Sequence, residues 1–389
     1  MPSRRQFLLA GVAGPLIAAT PKYDLIVQGG RVIDASQKMD RVADVAIYGG
    51  KIAAIRPRIT AAGTSRTQVI DAHGMLVTPG LVDIHAHLSD PKLPPGALLG
   101  DGVTSVVDGG SCGADNVDEL VKVVQSAPNR ARILLNISRG GLSGGKELLD
   151  LSKADPVAAR SAIERNREWV IGIKARLSRS AAGENDLEAL RKARMAADPL
   201  RVPIMVHVGN TASPLPAILA LLRPGDIVTH MYAPAPHGML DDNGRVLVEV
   251  REARRRGVLF DFGSGRTEHW TWDVAERALA QDFAPDTISS DMTLAGRSDQ
   301  VLNFPNVLSN FLTLGMPVEN VIARATANAA RAFPEFRDYG TLRVGATADL
   351  AVLEVRAGDF GFVDNYKTRR TGRRKLFATT VLVAGKRVS

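Results

Sequence analysis

Two histidines one residue apart, His85 and His87, close an apolar run headed by Pro79 and Gly80 in "TPGLVDIHAHLSD" (78–90). In a β-strand residues i and i+2 point to one face, so both rings, with Asp83 below them, can look into one cavity. Imidazole nitrogens and carboxylate oxygens are donors for a divalent cation, which makes this strand end a candidate metal site. Similar groups end later apolar runs: Lys174 in "VIGIKARL", His207 in "PIMVHVG", His230 in "DIVTHMY" and Asp291 in "TISSDM". A single histidine is more often a satisfied core or surface residue. Four of the chain's 7 histidines in equivalent strand-end positions, with a lysine and an aspartate, argue for convergence.

The elements that must position them follow from the rhythm of the middle of the chain. Eight strand-length runs recur: "VDIHAH", "TSVVDG", "RILLNIS", "VIGIKARL", "PIMVHVG", "DIVTHMY", "VLFDFG" and "TISSDM". Helical stretches such as "PVAARSAIERNREW", "DLEALRKARMAA", "RVLVEVREARRRG" and "TWDVAERALAQ" lie between them. Such alternation implies parallel strands, and eight units over roughly 250 residues predict an α/β fold, a (β/α)8 TIM barrel over 79–339. An open doubly wound sheet is the alternative; polar residues at the C-terminal ends of five strands favour the barrel, whose sites lie on that face. Short strands with glycine turns before Val77, as in "YDLIVQGGRVID", return after 340 in "ADLAVLEV" and "ATTVLVAGKRV". They predict a small β-sandwich built from 21–78 and 340–389, to which His73 belongs.

Composition bounds the rest. The chain has 389 residues, 45% hydrophobic and 23% charged, which suits one large domain and a smaller one. A net charge of +8 raises nucleic acid as a partner, but aromatic residues make up only 5% and the basic residues are scattered. The exception, "KTRRTGRRK" (367–375), reads as a solvated loop, so no nucleic-acid surface is expected. The single cysteine, Cys112, excludes an intrachain disulfide and reads as a packing residue. "GGLSGGKE" (140–147) imitates a phosphate-binding loop, but Glu147 stands where a magnesium-binding hydroxyl would be. Arg4 and Arg5 precede a short apolar stretch and small residues in "SRRQFLLAGVAGPLIAAT", a segment over 1–20 that resembles a twin-arginine export signal. A periplasmic or exported protein without a stable membrane span is therefore expected.

"TPGLVDIHAH", the strand-end Lys174, His207 and His230, Asp291 in "SSDM", "VIARATANAARAF" and "GTLRVGATADLAVL" together resemble the amidohydrolase superfamily. "DGGSCGADN", "LNISRGGLS", "VIGIKARLSR" and "LLRPGDIVTH" are similar to a narrower group, the dihydroorotase-like amidohydrolase/deacetylase metallohydrolases. The resemblance implies two divalent metal ions, zinc by expectation. His85, His87 and Asp291 would hold the more buried ion, and His207 and His230 the more exposed one. A free lysine there would be a cation facing two cations, so the resemblance implies Lys174 carboxylated by carbon dioxide to a bridging carbamate. An uncarboxylated Lys174 beside a single metal is the alternative. A metal-bridging hydroxide would attack the scissile carbonyl, and Asp291 would carry the proton to the leaving amine or alcohol.

The substrate expected is an acylated small molecule, in particular one that bears a carboxylate. Arg176 lies two residues beyond Lys174 and shares its face, so it could pair with that carboxylate or with a neighbouring strand's acid such as Asp83 or Asp108. Arg297 and His269 are further candidates for substrate binding, and His237 and Trp270 for shaping the pocket; each taken singly reads first as a plain loop residue. Two positions depart from the narrower group, which commonly carries histidines where Thr293 and Ser264 stand here. Three functions remain open: a deacetylase-like amide or ester hydrolase, a cyclic amidase of the dihydroorotase or hydantoinase type, and an exported, non-catalytic binding protein. The reading leaves room for a homo-oligomer.

Overall fold

The computed structural model describes residues 23–60, 67–142 and 145–389; the export-signal segment lies outside them. The chain opens with strands β1 (Leu25–Asp34), β2 (Met39–Tyr48), β3 (Lys51–Arg56), β4 (Gln68–Asp71) and β5 (Leu76–Pro79). The barrel strands follow: β6 (Leu81–Ala86), β7 (Val103–Gly109), β8 (Arg130–Asn136), β9 (Val170–Arg176), β10 (Ile204–His207), β11 (Ile227–Thr229) and β12 (Leu259–Phe260). After a helical stretch come β13 (Leu350–Val363), β14 (Arg369–Val383) and β15 (Lys386–Arg387).

The expected (β/α)8 barrel is present, with an irregular eighth position. Seven strands pair in parallel in sequence order, β6 through β12. The segment 287–292 makes no regular strand yet closes the ring through parallel bridges Asp261 to Thr287 and Ala86 to Met292. Phe262 N donates to Thr287 O at 3.1 Å and Ser264 N to Ser289 O at 3.1 Å on one side, and Asp291 N donates to His85 O at 2.7 Å on the other. Val82, Val107, Leu134, Ile171, Met205 and Ile227, from different strands, meet Phe333 and Phe336 in one buried cluster. Burial of each such side chain contributes roughly 1.5–3 kcal/mol.

The helices start where capping chemistry predicts. Asp155 accepts from Val157 N and Ala158 N, both at 3.0 Å, at the head of Pro156–Arg165, with proline at the first helical position. Thr271 caps Trp272–Leu279 and Asn303 caps Phe304–Thr313 in the same way.

Both chain ends form one eight-stranded sheet, in the order β15-β14-β13-β5-β1-β2-β3 with β4 beside β1. Leu25, Val45, Val77, Leu350 and Leu382 share its core. The sheet hands the chain directly to the barrel, because β5 pairs with β13 and Gly80 N donates to Asp349 O at 2.9 Å. Arg130 of β8 also reaches Asp349, at 2.9 Å.

The basic run 367–375 is not a loop. Most of it lies in β14, paired with β13 from Arg369–Val363 to Lys375–Arg356, with a bulge between Phe360 and Ala357. Its arginines mask the strand signal. Lys375 lies 5.7 Å from the Phe362 ring centre, and Arg356 of the facing strand β13 lies 4.2 Å from that of Phe377, so a charged sequence supports a strand whose partner is supplied from elsewhere.

Candidate functional site

The C-terminal ends of the barrel strands bring six predicted residues together: His85 and His87 from β6, Lys174 from β9, His207 from β10, His230 just after β11, and Asp291 from the closing segment. All are buried except His87, which is nearly so. Five of them, with His269, form two donor groups, His85–His87–Asp291 and His207–His230–His269, each with atoms within 4.8 Å of one another. Lys174 Nζ lies 2.6 Å from His85 Nε2, and Asp291 Oδ1 lies 3.3 Å from His85 Nε2 and 3.0 Å from His87 Nε2. The His207 and His230 rings are 4.2 Å apart and the His85 and His230 rings 5.2 Å, so the imidazoles run as one chain across the mouth.

The backbone is turned sharply to achieve this. His230 and Asp291 adopt left-handed conformations, φ 64° and 49°, which cost non-glycine residues about 1–3 kcal/mol and occur where surroundings impose them. Gly109 permits the close approach of His85, since a Cβ there would overlap the imidazole.

Hydrogen bonds orient three of the rings. His85 Nδ1 sits 3.1 Å from Thr229 Oγ1, whose hydroxyl donates to Asp261 at 2.8 Å. His87 Nδ1 sits 2.9 Å from Ser111 Oγ, whose hydroxyl donates to Asp108 at 2.7 Å. His230 Nδ1 donates to Gly263 O at 2.7 Å. A hydroxyl that has spent its proton on a carboxylate can only accept, so each ring keeps its own proton on Nδ1 and turns an Nε2 lone pair to the centre. Burial drives the same outcome, holding His85, His207 and His230 well below the ordinary imidazole range and therefore neutral. Burial also lowers the Lys174 ammonium to about 8. Among the described residues, His230 Nε2 is buried with no hydrogen-bond partner. Neutral rings, a carboxylate and an orphaned buried nitrogen are a donor set that fits divalent metal.

A cleft of about 240 Å³ opens over these groups, lined by His87, Lys174, His207, His269 and Asp291 together with Arg176, Arg266, Leu142 and Thr293. A larger groove of about 580 Å³, beside Trp272 and Asp364, has no histidine in its lining.

The remaining candidates separate. Arg176 lines the cleft, but its ion pair is with neither Asp83 nor Asp108; Nη1 lies 3.1 Å from the fully buried Glu147. Arg297, expected at the substrate, is instead bound to Asp101 at 2.8 Å, and is absent from the cleft lining because its helix faces the Pro95–Asp101 turn. His237 sits 3.0 Å from Thr211 O, and Trp270 is a core residue stacked edge-on with Phe262 and Trp272. Thr293 caps a short helix through Gly296 N, at 2.9 Å. Cys112 is buried, and burial pushes its thiol up to about 12, in keeping with a packing role. His73 lies on the turn after β4 and pairs with Asp71. His269 joins a donor group, which its loop position in the sequence did not signal. The hydroxyl relays were equally hidden, although Thr229 beside His230 and Asp261 within "VLFDFG", directly after β12, hold strand-end positions that could have pointed to them.

The chain matches the amidohydrolase family model over residues 76–388. It is 29% identical over 371 residues to a deacetylase from Enterococcus faecalis, covering 93% of this chain and 98% of the relative. Among solved structures it resembles an adenine deaminase with a TM-score of 0.84 and 28% identity, covering 95% of this chain and 100% of that one. A dihydroorotase structure gives a TM-score of 0.83 and 26% identity, covering 94% of this chain and 97% of that one.

The Thr229 relay predicts that Thr229→Val, which keeps shape but removes the hydroxyl, weakens metal binding by about 10–100-fold. Equilibrium titration of the metal-free variant against its parent measures this; equal affinities would show that the relay does not hold His85. The match over most of the chain, the closed barrel and the strand-end donor set lead to one assignment: the chain belongs to the amidohydrolase family, hydrolases of carbon–nitrogen bonds.

Proposed function

We propose that the chain is a binuclear metal-dependent hydrolase that cleaves the amide or ester bond of an acylated, carboxylate-bearing small molecule. The observation that carries this reading is the meeting of two donor groups beside Lys174 and Asp291 at the floor of one cleft. His85, His87 and Asp291 would hold one ion and His207 and His230 the other, with zinc favoured by imidazole and carboxylate donors. Bound there, the ions would supply Lewis acidity toward a carbonyl and a lowered pKa for water.

The chain's own groups account for the rest. Lys174 is buried, and the neutral amine is the form whose lone pair adds to carbon dioxide, with release of a proton. Carboxylated in this way, Lys174 would carry an anion, which suits a site that holds divalent cations better than an ammonium would. Asp291 holds Oδ1 on His87 while Oδ2 lies 3.3 Å from His269 Nδ1, so it can take a proton from attacking water and return it to the leaving group. Arg176 meets Glu147 through Nη1 alone, which leaves the other edge of the guanidinium for a substrate carboxylate. Leu142 narrows the same cleft with an apolar surface.

The deacetylase relative, similar over nearly its whole length, supports acyl substrates. A cyclic amidase of the dihydroorotase or hydantoinase type is the second reading, favoured by the overall likeness to the dihydroorotase structure. Export to the periplasm by Arg4 and Arg5 belongs to the same proposal.

Elemental analysis of protein produced with zinc and bicarbonate is expected to find two metals per chain, and fewer in Lys174→Ala; a parent without metal would sink the reading. N-acetyl amino acids and acetyl esters are expected to be hydrolysed faster than dihydroorotate or hydantoins, and the reverse order would select the cyclic amidase. Arg176→Lys is expected to raise KM for carboxylate substrates about tenfold with metal content intact, since lysine cannot form the two-pronged contact. Loss of metal instead would make Arg176 structural. Cell fractionation tests export: joint Arg4→Lys and Arg5→Lys changes should remove the protein from the periplasm, and unchanged distribution would end that part of the proposal.

A further inference from the structure

His269 is neither on a barrel strand nor in the predicted ligand set, yet its ring lies face to face with that of His230, with centroids 3.9 Å apart and planes 21° apart, and 5.0 Å from that of His207. Its donor atom falls within 4.8 Å of theirs. Among the described residues, both His269 Nδ1 and His230 Nε2 are buried without a hydrogen-bond partner. Buried polar atoms are normally satisfied, and two orphaned nitrogens in neighbouring rings point to a missing shared partner. Asp291 does not fill that role: its Oδ2 is 3.3 Å from His269 Nδ1, yet the pair forms no hydrogen bond.

The loop is built to hold the ring there. Asn365, on the turn between β13 and β14, accepts from His269 N at 2.9 Å and Trp270 N at 3.2 Å, and donates to Gly265 O at 3.2 Å. Trp270, next in sequence, is locked in the core, and Glu268, just before, takes a left-handed φ of 61°. Gly265 supplies the space: with φ +54°, it lies where any Cβ would overlap His269 Nδ1 and crowd Asp291 Oδ2 at 2.6 Å. A methyl group at this position would displace the ring from its place beside the carboxylate.

We infer that His269 is a third imidazole donor to the metal centre of His207 and His230, delivered by a loop that the C-terminal hairpin clamps in place. The inference rests on the binuclear reading and extends it. Three ring nitrogens give that centre a donor set which favours zinc, copper, iron or nickel over magnesium or calcium, and leave fewer positions open for substrate. Asn365 acts through His269 and is a positioning residue.

The test reads metal binding, not turnover. Metal-free parent, His269→Ala, His269→Gln and Gly265→Ala proteins are titrated with Co2+ in bicarbonate, followed by visible absorption and by elemental analysis after dialysis, with His207→Ala as the benchmark for loss of a donor. The parent is expected to bind two ions. Both His269 variants should keep one tight ion, bind the second at least about tenfold more weakly and show an altered cobalt spectrum, as His207→Ala does. Gly265→Ala retains the imidazole but pushes the ring out of its position, and should shift the same step in the same direction. Two ions bound by the His269 variants with parental affinities and spectrum would overturn the inference while leaving the binuclear reading intact. A parent that binds fewer than two ions would overturn both.

Discussion

The site depends on closure of the barrel between β6 and the irregular segment 287–292. Asp291 N donates to His85 O at 2.7 Å and His87 N to Met292 O at 2.8 Å, joining residues some two hundred positions apart. Asp83 reinforces the seam: its carboxylate accepts from Ser290 N at 3.0 Å, from Ser290 Oγ and from His85 N at 3.2 Å. Burial pushes this carboxyl up to about 7 against those hydrogen bonds. Without the seam Asp291 would not face the histidines, and the two donor groups would not share a cleft.

Neutral, oriented imidazoles follow from the layer beneath the mouth. Asp261 and Asp108 each hold a hydroxyl that in turn fixes one ring, so a carboxylate acts on an imidazole through an intervening oxygen. Asp261 also accepts from Thr287 at 2.7 Å and Ser289 at 2.6 Å, which ties ring orientation to the closing segment itself. Packing and site chemistry are therefore one network. The composite sheet takes part from outside the barrel, since the turn between β13 and β14 anchors the loop that carries His269.

Much of this was legible from local pattern. Period-two alternation puts His85 and His87 on one face, and the same rule places Lys174 and Arg176 together, because these relations are set within a few residues of backbone. The alternation of strands and helices likewise carried the barrel, and the return of short strands after 340 carried the sheet from both ends. Local pattern failed where a contact partner decides the outcome. Arg176 met Glu147 in place of the adjacent strand's acids, Arg297 was captured by Asp101, and the arginine-rich run became a strand because β13 offered it a backbone ladder.

By itself, then, the sequence determined which residue types stand at the ends of which strands, since the side-chain period of a strand and the alternation of elements are local properties. Only the tertiary structure decided how those ends meet. Closure through 287–292, the hydroxyl relays under His85 and His87, and the placement of His269 against His230 each join segments distant in the chain. Such contacts are selected by packing and by the need to satisfy buried polar groups, and neither is encoded in the spacing of neighbouring residues.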